Sequence, residues 1–570
     1  MKFLFRYLRP FIPRMTLGLA IKIAGTLMDL IIPYILEYII DSVIPTGNAG
    51  RIVFFGCIML LCSAGGITGN VIANRMASAV ARDTTGAVRH DLFAKILRLS
   101  PAQIDSVTIP TLETRLTSDT YNLHTMTGMM QRLGVRAPIL LIGGIAVTFA
   151  MEPVLSLTLI LILPFITAAV FMISKKGIPL FRALQKSTDD MTGVVRESAQ
   201  GIRVIKALSK AEYEKEKFDR MNRAVADAEL KSGRLMSATN PLMSAFLNLG
   251  MAAVILVGAY RVNGGRAEAG MVIAFMSYFT IVLNAMLSVT RLFTIYSKGA
   301  ASAARIGEIM EMPDDLEVLP GGGEIPGAPA IEFRNVSFAY PGKKDTLSGI
   351  SFRLGKGQTL GLIGATGSGK STVIQLLLRF YDVSSGQILI NDRDIRTFSP
   401  AELRGRFGTV LQNDFIFEGT VLENIDFGRG IPEESIKSAA ECAQADFIER
   451  LSDGFESHIN SKGTNLSGGQ KQRLLISRAL SGDPEILLLD DSSSALDYAT
   501  DAKLRSALRT SYSSATKLIV AQRVSSVMNA DLIIVLDSGR VIGMGTHDEL
   551  LETCPVYRGI SDSQIGGEAC

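Results

Sequence analysis

The residues best equipped for chemistry are Gly364 to Thr372, which read GATGSGKST. An apolar run, TLGLI, leads into them and VIQLLLRF follows, the succession of strand, glycine-rich loop and helix that a phosphate-binding loop requires. Gly364, Gly367 and Gly369 let the backbone fold around phosphate oxygens with its N–H groups pointing inward, at the positive end of a helix dipole. Lys370 is placed to reach β- and γ-phosphates and the Ser371 hydroxyl to bind magnesium, with Ala365, Thr366, Ser368 and Thr372 completing the loop. Farther on, EILLLDD sets Asp490 at the end of a buried strand, where a carboxylate can hold magnesium through water, and Asp491 beside it as a candidate base. An apolar strand ending in two acids is common, but here LSGGQ (Leu466 to Gln470) precedes it and SSSALD (Ser492 to Asp497) follows.

The elements that must position these residues lie in the C-terminal part of the chain. From Ala330 onward, short β-rich runs (IEFRNVSF, TLGLIG, ILIN, ILLLD, KLIVA, LIIVLD, RVIGMG) alternate with helical stretches, the pattern of an α/β domain with a largely parallel sheet. The Pro-, Gly- and acid-rich segment EMPDDLEVLPGGGEIPGAPA marks a boundary ahead of it. Residues 1–320 therefore form one domain, 321–330 a linker and 331–570 a second domain.

Together these motifs resemble the ATP-binding cassette family, and the resemblance covers the whole chain. It implies that Tyr340, in VSFAYPG, stacks on adenine and that Gln412, in TVLQND, links magnesium to the membrane domain. It also implies that Ser467, Gly468, Gly469 and Gln470 meet the γ-phosphate of ATP held by an opposite subunit, so that dimerisation is part of the chemistry. GTHDELL (Gly545 to Leu551) matches the family's end region without carrying chemistry of its own. Two positions depart from the pattern. Asp491 stands where the family has its catalytic Glu, one methylene shorter, and Gln522, in VAQRVSS, stands where the family has a histidine that contacts the γ-phosphate. Both changes fall in the site built on this chain's own loop, whereas LSGGQ is intact. The expectation is an asymmetric heterodimer in which the partner's site performs most turnover; a homodimer with weak ATPase is the plainer alternative.

Composition agrees with a mixed architecture. The 570 residues exceed what one core organises, and 47% hydrophobic residues with a mean hydropathy of +0.28 are combined with 20% charged residues. A net charge of +3 without a Lys/Arg block argues against nucleic acid as a partner. Cys57, Cys62, Cys442, Cys554 and Cys570 have neither zinc-site nor disulfide-scaffold spacing. Apolar stretches near 16–40, 52–74, 133–151, 153–174, 240–262 and 270–295 are each long enough to cross a bilayer. The fold class is thus multi-domain, an all-α six-helix transmembrane domain followed by an α/β P-loop nucleotide-binding domain. The basic start MKFLFRYLRP reads as an interfacial elbow.

The long segments after spans two and four are rich in Lys and Arg, among them Lys175, Lys176, Arg182, Lys186, Arg196, Arg203, Lys206 and Lys210 in the second, and so face the cytoplasm with both termini. The short connections 41–51, around Glu152, and 263–269 hold only Arg51 and Arg266 and face outward. The helical pattern in the long segments breaks at Pro110 and Gly201, which marks Thr108 to Thr117 and Gln200 to Ala207 as tips able to touch another domain. Asp29, Glu37 and Arg291 lie within or near spans and are candidates for a translocation path. Phe275, Met276, Tyr278, Phe279 and Met286 form a stripe on span six that suits amphipathic cargo or plain helix packing. The GGITG run, Gly65 to Gly69, fits close helix approach.

The resulting expectation is an ATP-hydrolysing, magnesium-dependent half-transporter in the cell membrane, exporting amphipathic small molecules, lipids or peptides with a second half-transporter. An importer of metal-chelating compounds and an ATP-sensing regulatory subunit are the alternatives. No peptidase-like segment precedes span one, so leader-peptide processing is not expected.

Overall fold

The computed structural model describes residues 2–342, 345–412 and 414–565, and Cys570 lies outside them. The chain divides into two compact units, Met1–Ile96 with Pro110–Glu311, and Leu97–Ile109 with Met312–Cys570.

The first unit is helical. Among the described residues, six helices are long and apolar enough to cross a membrane: Phe3–Thr46, Ala49–Ile96, Ile109–Met151, Pro153–Gln200, Ala211–Asn263 and Ala269–Glu311. The shortest has 43 residues, about twice what a bilayer needs, so each continues well beyond the hydrocarbon. Their short connections are fixed by local chemistry. Gly47 takes the left-handed conformation that ends the first span (φ +64°), and Pro153 starts the fourth at the first turn, where its missing N–H costs nothing. The Asp41 carboxylate accepts from the backbone N–H groups of Gly270 (2.6 Å) and Met271 (2.8 Å), capping the sixth span. Glu152, 8% exposed, accepts from the Arg261 guanidinium at 2.5 Å and ties the start of span four to the end of span five. Spans one and two approach closely, since a Cβ on Gly25 would lie 3.2 Å from the Gly66 carbonyl.

The aromatic stripe of span six is core. Phe275 and Phe279 pack with Leu155, Leu159, Ile166 and Val254, with Met286 in the same cluster. Tyr278 is fully buried and donates to the Leu30 carbonyl at 2.6 Å. These residues are occupied by helix packing, so the cargo-facing alternative for them does not hold.

The second unit is built on β1 (Ile331–Phe338), β2 (Leu347–Leu354), β3 (Thr359–Gly364), β4 (Ser385–Ile390), β5 (Arg393–Asp394), β6 (Phe407–Val410), β7 (Gly419–Thr420), β8 (His458–Ile459), β9 (Ile486–Asp490), β10 (Thr516–Val520), β11 (Leu532–Asp537) and β12 (Arg540–Gly545). β2-β1-β4-β5 form an antiparallel sheet, and β12-β11-β3-β10-β9-β6 a second sheet that is parallel except for β12. The parallel strands are apolar without alternation because both faces are covered. Ile486 and Leu488 enter one core cluster, Leu487 and Leu489 another. The helices that matter for the site are α1 (Pro101–Val107), α2 (Lys370–Leu377), α3 (Gly468–Leu480), α4 (Tyr498–Ser511) and α5 (Pro555–Ile565).

α1 comes from the segment joining spans two and three. Ser100 and Gln103 close a capping box ahead of it, Ala102 packs on the cassette core, and the Tyr381 hydroxyl donates to Asp105. The tip expected at Thr108 to Thr117 is therefore formed earlier, by α1. The expected interruption is present, at Thr108 (φ +72°), and Pro110 sits in the first turn of the helix that starts at Ile109. The second tip is the short helix Ile202–Ala207, which belongs to the first unit and exposes Ile202, Val204 and Leu208.

Candidate nucleotide site

The order β3-β10-β9-β6 sets the carboxyl ends of four parallel strands side by side, the place where such sheets bind ligands. Val520 pairs with both Leu362 and Asp490, and Val410 with Leu489. The loop after β3, Gln522 after β10, Asp490 and Asp491 at the end of β9, and Gln412 after β6 thus meet, although they span more than 150 positions in sequence. They line a cleft of about 360 Å³ with Tyr340, Thr346, Thr366, Gly367, Gly369, Lys370, Ser371, Thr372 and Val520.

Two glycines are obligatory. At Gly364 (φ +154°) a Cβ would lie 2.0 Å from the Leu536 carbonyl oxygen, and at Gly369 (φ +100°) 2.6 Å from Leu347 Cδ2. Gly369 is also the residue from which α2 starts, so the loop delivers its N–H groups at a helix N-terminus. Lys370 Nζ folds back onto the Gly364 and Ala365 carbonyls, at 2.8 Å each. Burial holds its pKa below the ordinary lysine value, against the pull of Asp490 and Asp491. Ser368 is buried behind the loop, with its hydroxyl lacking a partner among the described residues.

Asp490, 4% exposed, accepts from the Ser371 hydroxyl, and burial pushes its pKa up. A serine hydroxyl, a carboxylate and the Gln412 amide oxygen form an all-oxygen donor set, which suits a hard cation such as magnesium. Asp491 takes a left-handed backbone (φ +52°), its N–H donating to the Val520 carbonyl at 2.9 Å. Its pKa is also raised, chiefly by burial. Gln522 Nε2 donates to Asp491 Oδ2 at 3.1 Å, so the two departures from the family pattern are partners of one another. Tyr340 is held by hydrogen bonds to Gln375 (2.5 Å) and Thr372 (3.3 Å) and by edge-on contacts with Phe338 and Tyr381.

Ser467, Gly468, Gly469 and Gln470 do not line this cleft. Ser467 caps α3 in a capping box with Gln470, and Ser467 and Gly468 are exposed. Sequence reading missed Thr346, and it missed Gln564 on α5, whose side chain donates to the Gln522 carbonyl (2.9 Å) and accepts from the Val524 N–H (2.8 Å). No local motif marks either residue. Among the ionisable residues of the spans, Asp29 is bonded to Arg136 and Asn70, Glu37 is half-buried and Arg291 is exposed.

Comparison with known proteins matches both units. Residues 15–286 match the family described as ABC transporter transmembrane region, and residues 347–494 that described as ABC transporter. The chain belongs to the ABC transporter family. It is 32% identical over 576 residues to an uncharacterized ABC transporter ATP-binding protein of Mycobacterium tuberculosis, covering 98% of this chain and 97% of the relative. It is 33% identical over 570 residues to an uncharacterized ABC transporter ATP-binding protein of Bacillus subtilis, covering 99% and 98%. The solved structure of a bacterial Atm1-family ABC exporter with ATP bound superposes with a TM-score of 0.82 at 25% identity, covering 99% of each chain. The protein is accordingly a multi-pass ABC transporter of exporter type, with a cytoplasmic nucleotide-binding domain and ATP-driven transport as its activity.

Proposed function

We propose that this chain is one half of a heterodimeric exporter of amphipathic small molecules, lipids or peptides, and that its own ATP site binds nucleotide firmly but hydrolyses it slowly. The observation that carries this is the Gln522–Asp491 hydrogen bond. The Asp491 carboxylate is a methylene shorter than Glu, has its pKa raised chiefly by burial, and is engaged by an amide that cannot exchange a proton as imidazole does. In this reading Tyr340 stacks on adenine, the backbone of Gly364 to Thr372 holds the phosphates and Lys370 leaves its loop carbonyls to meet them. Ser371, Asp490 and Gln412 hold magnesium, which neutralises phosphate charge when bound. Ser467 and Gly468, which are exposed, and Gly469 and Gln470, which are half-buried, do not line this cleft and serve ATP on the partner, where a complete Glu and His perform most turnover. The exposed Ile202, Val204 and Leu208 on the second cytoplasmic tip offer an apolar surface for the partner's cassette.

The test is the ATPase rate of this chain alone in lipid nanodiscs against Lys370→Ala. A slow rate, little above the Lys370→Ala background, with nucleotide still bound by the unsubstituted chain, is expected; robust Lys370-dependent turnover would mean a working homodimer and overturn the proposal.

A further inference from the structure

Spans one, two and three hold a polar centre of their own. Lys22 on span one is 3% exposed and donates to Asn74 Oδ1 on span two at 3.0 Å. About two turns along the same helix, Asp29 Oδ2 accepts from Arg136 Nη2 on span three (3.0 Å) and from Asn70 Nδ2 on span two (3.3 Å). Arg132 stands one helical turn from Arg136, within electrostatic reach of Lys22. Three cations thus lie around one carboxylate: Arg136 pairs with it, Arg132 donates to the Gly128 carbonyl at 3.2 Å, and among the described residues neither Lys22 nor Arg132 has a carboxylate within ion-pair distance. The centre also has spare hydrogen-bonding capacity, since Asn70 Oδ1 and Arg136 Nε are buried without partners among the described residues.

Such an excess of positive charge within membrane-spanning helices is costly unless an anion or water compensates it. The Arg136 side chain is nevertheless 42% exposed in the single chain, and an open guanidinium face is matched by water, the partner half or cargo rather than by hydrocarbon. Asn74, which holds Lys22, also lines an open depression of about 420 Å³ on span two together with Val71, Arg75, Ser78, Ala79 and Arg82.

We infer that Lys22, Arg132 and Arg136 form a binding site for the anionic head of the cargo, a carboxylate or phosphate, with Asp29 holding Arg136 in place until cargo arrives. This rests on the reading of the chain as a transporter and narrows its cargo to anionic amphiphiles. The guanidinium offers the planar donor pair that a carboxylate or phosphate accepts, and buried Lys22 adds a point charge beside it.

The test is saturable binding of radiolabelled dodecyl phosphate to the full chain in nanodiscs, corrected with empty discs. Competitors share the same chain length: dodecanoate, dodecanol and dodecyltrimethylammonium. Competition by dodecanoate alone is expected, weaker than self-competition if a dianionic phosphate is preferred. Arg136→Gln and Lys22→Gln should each weaken binding at least 10-fold, Arg136→Lys should keep most of it, and Asp29→Asn should tighten it several-fold. An unchanged elution profile and an unchanged limited-proteolysis pattern of the helical unit in every variant show that each folds. Equal competition by dodecanol or the ammonium, or unchanged affinity in folded Arg136→Gln and Lys22→Gln, would overturn the inference. Anion binding without ATP-dependent transport would leave it standing and count against the transporter reading instead.

Discussion

Asp491→Glu should convert the nucleotide site from slow to fast. The added methylene extends the carboxylate by about 1.5 Å, and a catalytic group displaced by about 1 Å can lose on the order of 100-fold in rate. Recovering that reach should raise turnover about 10- to 100-fold, which at 100-fold is about 2.7 kcal/mol of barrier. The longer side chain also escapes the position where Gln522 Nε2 engages Oδ2 at 3.1 Å. Against this stands the backbone at φ +52°, which Asp tolerates through local hydrogen bonding and Glu does not, a cost of about 1 kcal/mol to folding. The gain therefore exceeds the strain. The assay is steady-state ATPase in nanodiscs, with Lys370→Ala on the Asp491→Glu background as zero. A pH series adds a second reading. A base must be ionised, and burial raises the Asp491 pKa, so the rate of the unsubstituted chain should fall on acidification at a higher pH than an ordinary carboxylate would give. Less than a threefold gain in Asp491→Glu would refute the argument that carboxylate reach limits hydrolysis here.

Three further outcomes follow from other contacts. Gln564→Ala removes two hydrogen bonds to the backbone around Gln522, each worth about 1 kcal/mol, so hydrogen exchange across 522–526 should quicken at least 10-fold while the sheet core stays protected. Tyr381→Phe keeps the ring packed on Tyr340 but loses the bond to Asp105, and limited proteolysis near Leu97–Ile109 should become several-fold faster. Glu332, held by Arg334 and Arg353, has its pKa pulled from 4.5 to about 2, first by the Arg334 hydrogen bond. Because the folded value is depressed, this stabilisation is complete above pH 4.5 and is lost as pH falls toward 2; Glu332→Gln should cost about 1–2 kcal/mol at neutral pH and flatten acid unfolding in that window.

The sequence by itself determined the chemistry of the loop and the kinds of element around it. Gly364 to Lys370 could be read because a phosphate loop needs glycines, a lysine and a hydroxyl at fixed local spacing, and the six apolar stretches because bilayer thickness sets a minimum length. What the tertiary structure decided are relations between distant positions. That Gln522 pairs with Asp491, and that Gln564 holds the Gln522 loop, depends on strand order and on where α5 packs, which no local pattern encodes. The stripe of Phe275, Tyr278 and Phe279 had the same composition whether it faced cargo or its neighbours, and only the packing of Phe275 and Phe279 against spans four and five, and of Tyr278 against spans one and three, settled it as core. Asp29 was conspicuous as a charge in an apolar run, but its partners, Arg136 and Asn70, lie on other helices, so the positive centre around it came into view only when three spans were placed side by side.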